Sequence, residues 1–186
     1  MKNTYLTSYF PLLSILLFSI SFAISLEFKI IYLLKNIGIY EGMLEFFSDG
    51  GIKLSLLTLL TILFFMVYSA LKMIADTINE LSLLFFSRET EGQSLTKIRS
   101  GSAIYFFAGA LALLVSFYSI LAVFLVFLIA TISYFIYFVH KVSGELTVTG
   151  IVGLIFFQVI VWSTLLVGVG YIATKVYNSI MASLPV

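Results

Sequence analysis

The chain of 186 residues contains no cysteine and one histidine, His140. Without thiols it can form neither a disulfide nor a thiolate metal site, and it has no cysteine nucleophile. A single histidine also excludes metal sites built from several imidazoles and haem ligation by two histidines of one chain. Carboxylate sites for hard cations stay open. No residue set indicates one, and we expect neither a metal nor another cofactor.

Charge is also scarce. Only 10% of the residues are charged, 61% are hydrophobic, and the mean hydropathy is +1.15. Soluble domains carry about 25% charged residues, so this chain is too apolar to cover its surface in water. The net charge of +1 provides no field that would attract nucleic acid. We therefore expect an integral membrane protein that contacts lipid and binds no nucleic acid.

Four long runs of the sequence contain no charged residue: 3–26, 54–71, 100–139 and 146–174. A spanning helix needs about 20 apolar residues to cross about 30 Å of hydrocarbon. The third run would be about 60 Å long as one helix, so it is predicted to form two helices with a turn at "SFYS", residues 116–119. The predicted spans are approximately 6–26, 53–72, 101–117, 120–139 and 150–173.

Two connections hold most of the polar residues. In residues 26–47 the apolar side chains recur at helical spacing, which predicts two short amphipathic helices at the membrane interface, broken near Gly38. The second connection, residues 73–99, contains "SRETEGQS", the only clearly hydrophilic stretch. The predicted fold is therefore an all-α polytopic membrane protein, with residues 1–186 forming a single domain of about five transmembrane helices and an interfacial insertion between the first two.

The number of cations on each side predicts the orientation in the membrane, and the first span is compared with a signal peptide. With the N-terminus on the inner side of the membrane, the inner segments hold six cations and the outer segments four, which favours that orientation. The first span is long for a signal peptide and is preceded only by Lys2, so we expect it to be retained.

The segment that follows the second span carries Lys72, Asp76 and Glu80 at i, i+4 spacing, with Asn79 beside them. Residues at this spacing share a helix face, and paired carboxylates on such a face are able to hold a cation or pass a proton. Because residues 54–71 already supply a membrane thickness, Asp76 and Glu80 are expected one and two turns outside it. We therefore interpret the four residues as a solvated or partner-facing surface rather than an ion site.

The last span contains Gln158, Ser163 and Thr164 near its middle. Amides and hydroxyls inside a membrane more often bond neighbouring helices than a ligand, so these residues are predicted to pack between helices. No predicted span has an ionisable residue in its interior, and no phosphate loop, zinc-protease or serine-hydrolase spacing is present. We expect no catalytic residues and no enzymatic activity.

Three stretches carry a family resemblance: "MKNTYLTSYFPL" at the start, "EFFSDGGIKLSLL" at 45–57 and "ADTINELSLLFF" at 75–86. Together they resemble the YufK-like family, small multi-pass membrane proteins of Bacillus-type bacteria whose activity is unknown. The resemblance implies a bacterial plasma-membrane protein. It transfers no catalytic or binding residue.

The leading functional hypothesis is a non-enzymatic accessory or structural component that associates with another membrane protein or with itself. Its recognition surfaces would be the two polar connections, 27–51 and 72–99. The alternative is a small oligomeric transporter or channel with Asp76, Glu80 and Gln158 on its route. A lipid-modifying enzyme is the least favoured hypothesis, because no acid, base or nucleophile constellation faces the membrane.

Overall fold

The computed structural model describes residues 4–88 and 98–183, and every regular element in these two ranges is helical. The all-α class is confirmed. Short 3₁₀ turns precede the fourth helix and follow the fifth, at Arg99–Gly101 and Ser143–Glu145. In chain order the helices are α1 Thr4–Asn36, α2 Ile39–Leu44, α3 Asp49–Phe86, α4 Ser102–Val115, α5 Ile120–Val142 and α6 Val148–Ser183.

Local chemistry fixes the helix ends. After α1, Gly38 has φ of 75°, the left-handed conformation that glycine adopts without strain. Ser48 caps α3 by accepting the N–H of Gly51 on its hydroxyl at 3.1 Å. Ser119 caps α5 in the same way, so the predicted turn at 116–119 lies between α4 and α5.

Within the described ranges, four helices are long and apolar enough to cross a membrane: Tyr9–Asn36, Asp49–Phe86, Ile120–Glu145 and Val148–Ser183. The third predicted span, 101–117, falls on α4, whose 14 residues extend about 21 Å and are lengthened by the preceding 3₁₀ turn. It is shorter than predicted because the turn at its end begins directly after Val115.

The two polar connections are more helical than the sequence suggests. The first of the two amphipathic helices predicted in 26–47 is not separate, because α1 continues without a break until Gly38 changes the backbone direction. The second is α2. Helix α3 likewise continues to Phe86, through the first half of the predicted connection 73–99. Residues 89–97 of that connection lie outside the described residues.

Helix α1 lies at the centre of the bundle and packs mainly against α3 and α4. The buried core there comprises Phe18, Phe22, Ala112 and Val123. Helix α6 joins the bundle only through its first half, which packs on the end of α3. A second core of Leu83, Ile98, Phe138, Val142 and Leu154 forms at that junction.

Candidate functional site

The charged face of α3 consists of Lys72, Asp76 and Glu80. Lys72 donates to Asp76 Oδ1 in an ion pair one turn apart, and their side chains are 38% and 49% exposed. Glu80 lies one turn further on and is exposed, and it forms no ion pair with any residue that the structure describes. Lys72 and Asp76 are thus partly exposed at the surface of the bundle, and Glu80 is a carboxylate that its own helix does not neutralise.

Asn79 does not belong to this face. Its side chain is buried, and its Oδ1 accepts a hydrogen bond of 2.9 Å from Gln158 Nε2 of α6. Adjacent residues of an α-helix point about 100° apart, so Asn79 faces inward while Glu80 faces outward. The prediction that grouped Asn79 with the charged residues followed sequence proximity, whereas the structure assigns it to the α3–α6 contact.

Gln158 closes a buried amide cluster with Asn79 and Ser82. Gln158 Nε2 also donates to Ser82 Oγ at 3.3 Å. The Ser82 hydroxyl in turn donates to the backbone carbonyl of Asn79 at 2.8 Å. Gln158 therefore takes the interhelical position expected of it. Ser82 was missed by sequence reasoning, although its place one turn from Asn79 is a signal that could have indicated it.

Ser163 and Thr164 lie on the exposed surface of α6, and every residue from 163 to 183 is exposed. The packed part of α6 ends before them. Among the residues that the structure describes, Gln158 is the one of the three predicted polar positions whose side chain is hydrogen-bonded to a neighbouring helix.

We expect Gln158→Leu to lower the free energy of unfolding by about 1 kcal/mol, since it removes two interhelical hydrogen bonds and leaves the Asn79 amide buried without its partner. The measurement is reversible unfolding of the purified protein in bicelles. Thr164→Val, at an exposed position of the same helix, is the control and should leave the unfolding curve unchanged. Equal effects of the two changes would contradict the role assigned to the amide cluster.

Ring contacts fix the level of the charged face relative to the other helices. The centroid of Phe18 in α1 lies 5.9 Å from that of Tyr68 in α3 and 5.2 Å from that of Phe127 in α5. Since α1 and α3 are antiparallel, Ser14, one turn earlier in α1, is level with Lys72, one turn later in α3. Lys72 thus lies beside the middle of the charge-free segments of α1 and α5.

Contacts at the two ends of the bundle define two polar belts. At one end the Arg88 N–H bonds the Glu145 carbonyl at 3.4 Å. At the other end Ser25, two residues before Glu27, donates to the Ser116 carbonyl at 2.6 Å. The α1–α3 register places Ser25 level with residue 61 of α3, because the rings of Phe22 and Phe64 are 5.5 Å apart.

The distance between these belts matches a bilayer. From residue 61 to Phe86, where α3 ends, is about 38 Å at 1.5 Å per residue, close to the thickness of a membrane including its headgroups. Lys72 and Asp76 lie midway. The amide cluster agrees with this depth, because Gln158 is near the centre of the charge-free segment 146–174.

This register corrects the depth expected from the sequence. A membrane centred on residues 54–71 would enclose Glu27 and Lys29 of α1, and it would leave the exposed apolar side chains of Ile136 and Phe156 in water. The charge-free run of α3 was misleading because Lys72 and Asp76 neutralise each other and so need not avoid the membrane. Asp76 lies within the membrane thickness rather than one turn outside it. Glu80 lies level with Lys141 of α5, because the rings of Tyr68 and Phe127 are 5.2 Å apart, and so it lies at the edge of the membrane.

A second polar cluster lies beyond the other belt and fastens α2 to α3. The Tyr40 hydroxyl donates to Asp49 Oδ1 at 2.6 Å, and Lys53 Nζ donates to Asp49 Oδ2 at 2.7 Å. Lys35 Nζ lies 5.0 Å from the centre of the Tyr40 ring. The hydrogen bonds from Lys53 and Tyr40 lower the pKa of Asp49. The bond between Tyr40 and Asp49 raises the pKa of Tyr40. All partners are satisfied within the chain, so this cluster is structural.

Acidification should weaken the attachment of α2 to α3. Because the pKa of Asp49 is lower in the folded state, its contribution to stability is present at neutral pH and is lost as the pH falls below about 4 and through the folded pKa. We expect the hydrogen-exchange protection factors of residues 39–44 to fall between pH 7 and pH 3. In Asp49→Asn they should be low at both pH values, whereas unchanged protection at pH 3 in the wild type would contradict this assignment.

The bundle, with its long apolar helices and two polar belts, is that of a small multi-pass integral membrane protein. Residues 26–185 match the model of the "Family of unknown function (DUF5366)", and the chain belongs to this family. It is also 45% identical to the "Uncharacterized membrane protein YufK" of Bacillus subtilis (strain 168), over 186 residues and 100% of both chains. No solved structure matches. The resemblance inferred from three short stretches is confirmed, and it supports a bacterial membrane protein.

Proposed function

We propose that this protein is a non-enzymatic accessory or structural component of the bacterial plasma membrane, and that it acts by associating with another protein through the charged face of α3. One observation supports this most directly: the Lys72–Asp76 pair lies midway between the polar belts and yet is partly exposed at the surface of the bundle. The name of the relative, a membrane protein, is compatible with this function and adds nothing finer.

The energetic reason is the cost of charge in hydrocarbon. A single Lys or Asp at the centre of a spanning helix costs about 2.5–3.5 kcal/mol on insertion scales. Pairing reduces the cost, but side chains that are 38% and 49% exposed in the isolated chain would still face lipid tails. A second protein that covers the face replaces lipid by polar or oppositely charged groups. Association therefore relieves a cost that the single chain retains.

Cross-linking in native membranes tests the proposal. We expect a cross-linked species of defined stoichiometry in the wild type that is lost in the Asp76→Asn/Glu80→Gln variant. The exposed Thr164→Val change on α6 is the matched control and should leave the species intact. If wild type and charge variant both yield only the monomer, association through α3 is contradicted.

A transporter is the second candidate, because ionisable groups at mid-membrane depth often mark an ion or substrate pathway. The predicted route included Gln158, but that amide is buried and bonded to Asn79 and Ser82, so only Asp76 and Glu80 remain for it. Flux into reconstituted vesicles that is abolished by Asp76→Asn would favour transport over association.

The orientation stays a prediction. Of the six cations counted on the inner side, Lys72 lies between the belts instead, so the positive-inside count becomes five to four. We propose the same orientation, with the N-terminus inside.

A further inference from the structure

The edge of the bundle that α4 and α5 form carries cations and no carboxylate. Between residues 98 and 144 the sequence contains Arg99, His140 and Lys141 but neither aspartate nor glutamate. All three residues are exposed, and neither Arg99 nor Lys141 forms an ion pair with a residue that the structure describes. The two helices therefore present positive charge without supplying a counter-charge of their own.

Contacts around Tyr137 bring the two permanent cations into one surface. The Tyr137 hydroxyl lies 2.6 Å from Ser100 Oγ, and a Cβ built on Gly101 would lie 2.7 Å from the Tyr137 ring. Arg99, the preceding residue, is thus within about one helical turn of Tyr137. Lys141 Nζ lies 5.6 Å from the centre of the same ring. We call this surface, formed by Arg99, Tyr137 and Lys141, the α4–α5 edge.

The register between α3 and α5 places the α4–α5 edge near the lipid headgroups. Lys141 is level with Glu80, as the contact between the rings of Tyr68 and Phe127 requires. That level is six residues, about 9 Å, inside the end of α3 at Phe86. Long cationic side chains at this depth extend towards the membrane surface, where the phosphates of lipids lie.

The two ends of the bundle differ in their charge balance. The described charges at the end with the α4–α5 edge are three cations and two carboxylates: Arg88, Arg99, Lys141, Glu80 and Glu145. At the other end, residues 27–53 and Lys175 supply four cations and four carboxylates. The sequence of segments 1–3 and 89–97 contains two lysines and two glutamates, which add no net charge. The described groups at the first end thus have an excess of one positive charge.

We propose that the α4–α5 edge binds the phosphate of an anionic phospholipid, with Arg99 and Lys141 as its two cationic ligands. A phosphodiester has two charged oxygens and one negative charge, which suit one guanidinium and one ammonium and equal the excess at this end. Its acyl chains lie against exposed apolar side chains of the same two helices, namely Phe107 of α4 and Ile132 and Ile136 of α5. Lipid binding here is separate from the association proposed for α3, and the test below does not depend on that association.

The test titrates the purified full chain in a neutral detergent with phosphatidylglycerol that carries a fluorophore on one acyl chain, and it follows the anisotropy. We expect unlabelled phosphatidylglycerol to displace this probe, and phosphatidylcholine with the same acyl chains to displace it only weakly. A Lys or Arg near the membrane surface contributes about fivefold to the affinity for anionic lipid, so Arg99→Gln/Lys141→Gln should weaken binding by about 25-fold.

Two control variants accompany this one. Lys29→Gln/Lys175→Gln removes two exposed cations at the other end of the bundle, and it should change the affinity by no more than about twofold. Arg99→Lys/Lys141→Arg keeps both charges at the α4–α5 edge and should retain most of the affinity. Because Arg99 and Lys141 are exposed, thermal unfolding of the variants should match that of the wild type.

Three results would overturn the proposal. Equal displacement by the two lipids would show that the charge of the headgroup is not recognised. Equal losses in the two glutamine variants would show that net charge, and not the α4–α5 edge, attracts the lipid. Displacement of the probe by millimolar inorganic phosphate would identify a site for a free anion in place of a lipid.

Discussion

Replacing Asp76 by leucine should lower the free energy of unfolding by about 2–3 kcal/mol, because it leaves the Lys72 ammonium unpaired at mid-membrane depth. The double change Lys72→Leu/Asp76→Leu should restore stability to near the wild-type value. An ion pair in a low-dielectric medium is replaced by apolar residues at little cost, whereas removal of one partner is strongly destabilising. The measurement is a double-mutant cycle of unfolding in bicelles.

The chain contains a matched control for this cycle. Lys53 and Asp49 form an ion pair with the same i, i+4 spacing, at 2.7 Å, outside the polar belts. Lys53→Leu should therefore cost much less than Asp76→Leu. Exposed helix pairs of this kind in water contribute only about 0.3–0.5 kcal/mol. A coupling energy of that size for Lys72 and Asp76 would place their pair in water and contradict the depth assigned to it.

The second large effect is expected at Gly109 of α4, which packs closely against Leu17 of α1. A Cβ at this position would lie 2.9 Å from the Cβ of Leu17. That atom is fixed to the backbone of α1 and cannot rotate away, so the two helices must separate. We expect Gly109→Leu to cost about 2–3 kcal/mol of unfolding free energy, in the upper part of the range for overpacked cores.

Gly168→Leu is the control for this substitution. Gly168 lies in the exposed half of α6, and no atom is within 4 Å of a Cβ built there. The same chemical change should therefore leave the unfolding free energy within about 0.5 kcal/mol of wild type. Similar losses for the two variants would show that α1 and α4 do not pack as described.

Features that depend on one segment at a time were predictable from the sequence. The charge-free runs indicated long apolar helices, and the excess length of residues 100–139 required a turn, which lies at 116–119 between α4 and α5. Gly38 marked the break after α1 because its backbone conformation is a local property.

Features that depend on the register between helices were not predictable. Asn79 bonds Gln158, 79 residues away, and no local pattern specifies which turn of α6 meets which turn of α3. The depth of Lys72 and Asp76 is likewise set by ring packing of Phe18 and Tyr68. A charge-free run reports membrane depth only where charges are unpaired, and here the pairing of Lys72 with Asp76 removes that signal.

The depth of α3 is the central claim, and the absence of cysteine permits a clean measurement of it. Single cysteines replace Met73, beside the ion pair, and Leu54, beyond the belt at residue 61. The two native side chains are similarly exposed, at 74% and 67%, so the protein shields both sites equally. The experiment compares their rates of reaction with a water-soluble maleimide in vesicles opened to both sides. Because the reactive thiolate needs water, we predict that position 54 reacts at least about tenfold faster than position 73. Faster labelling at position 73 would put the charged face in water and contradict the account.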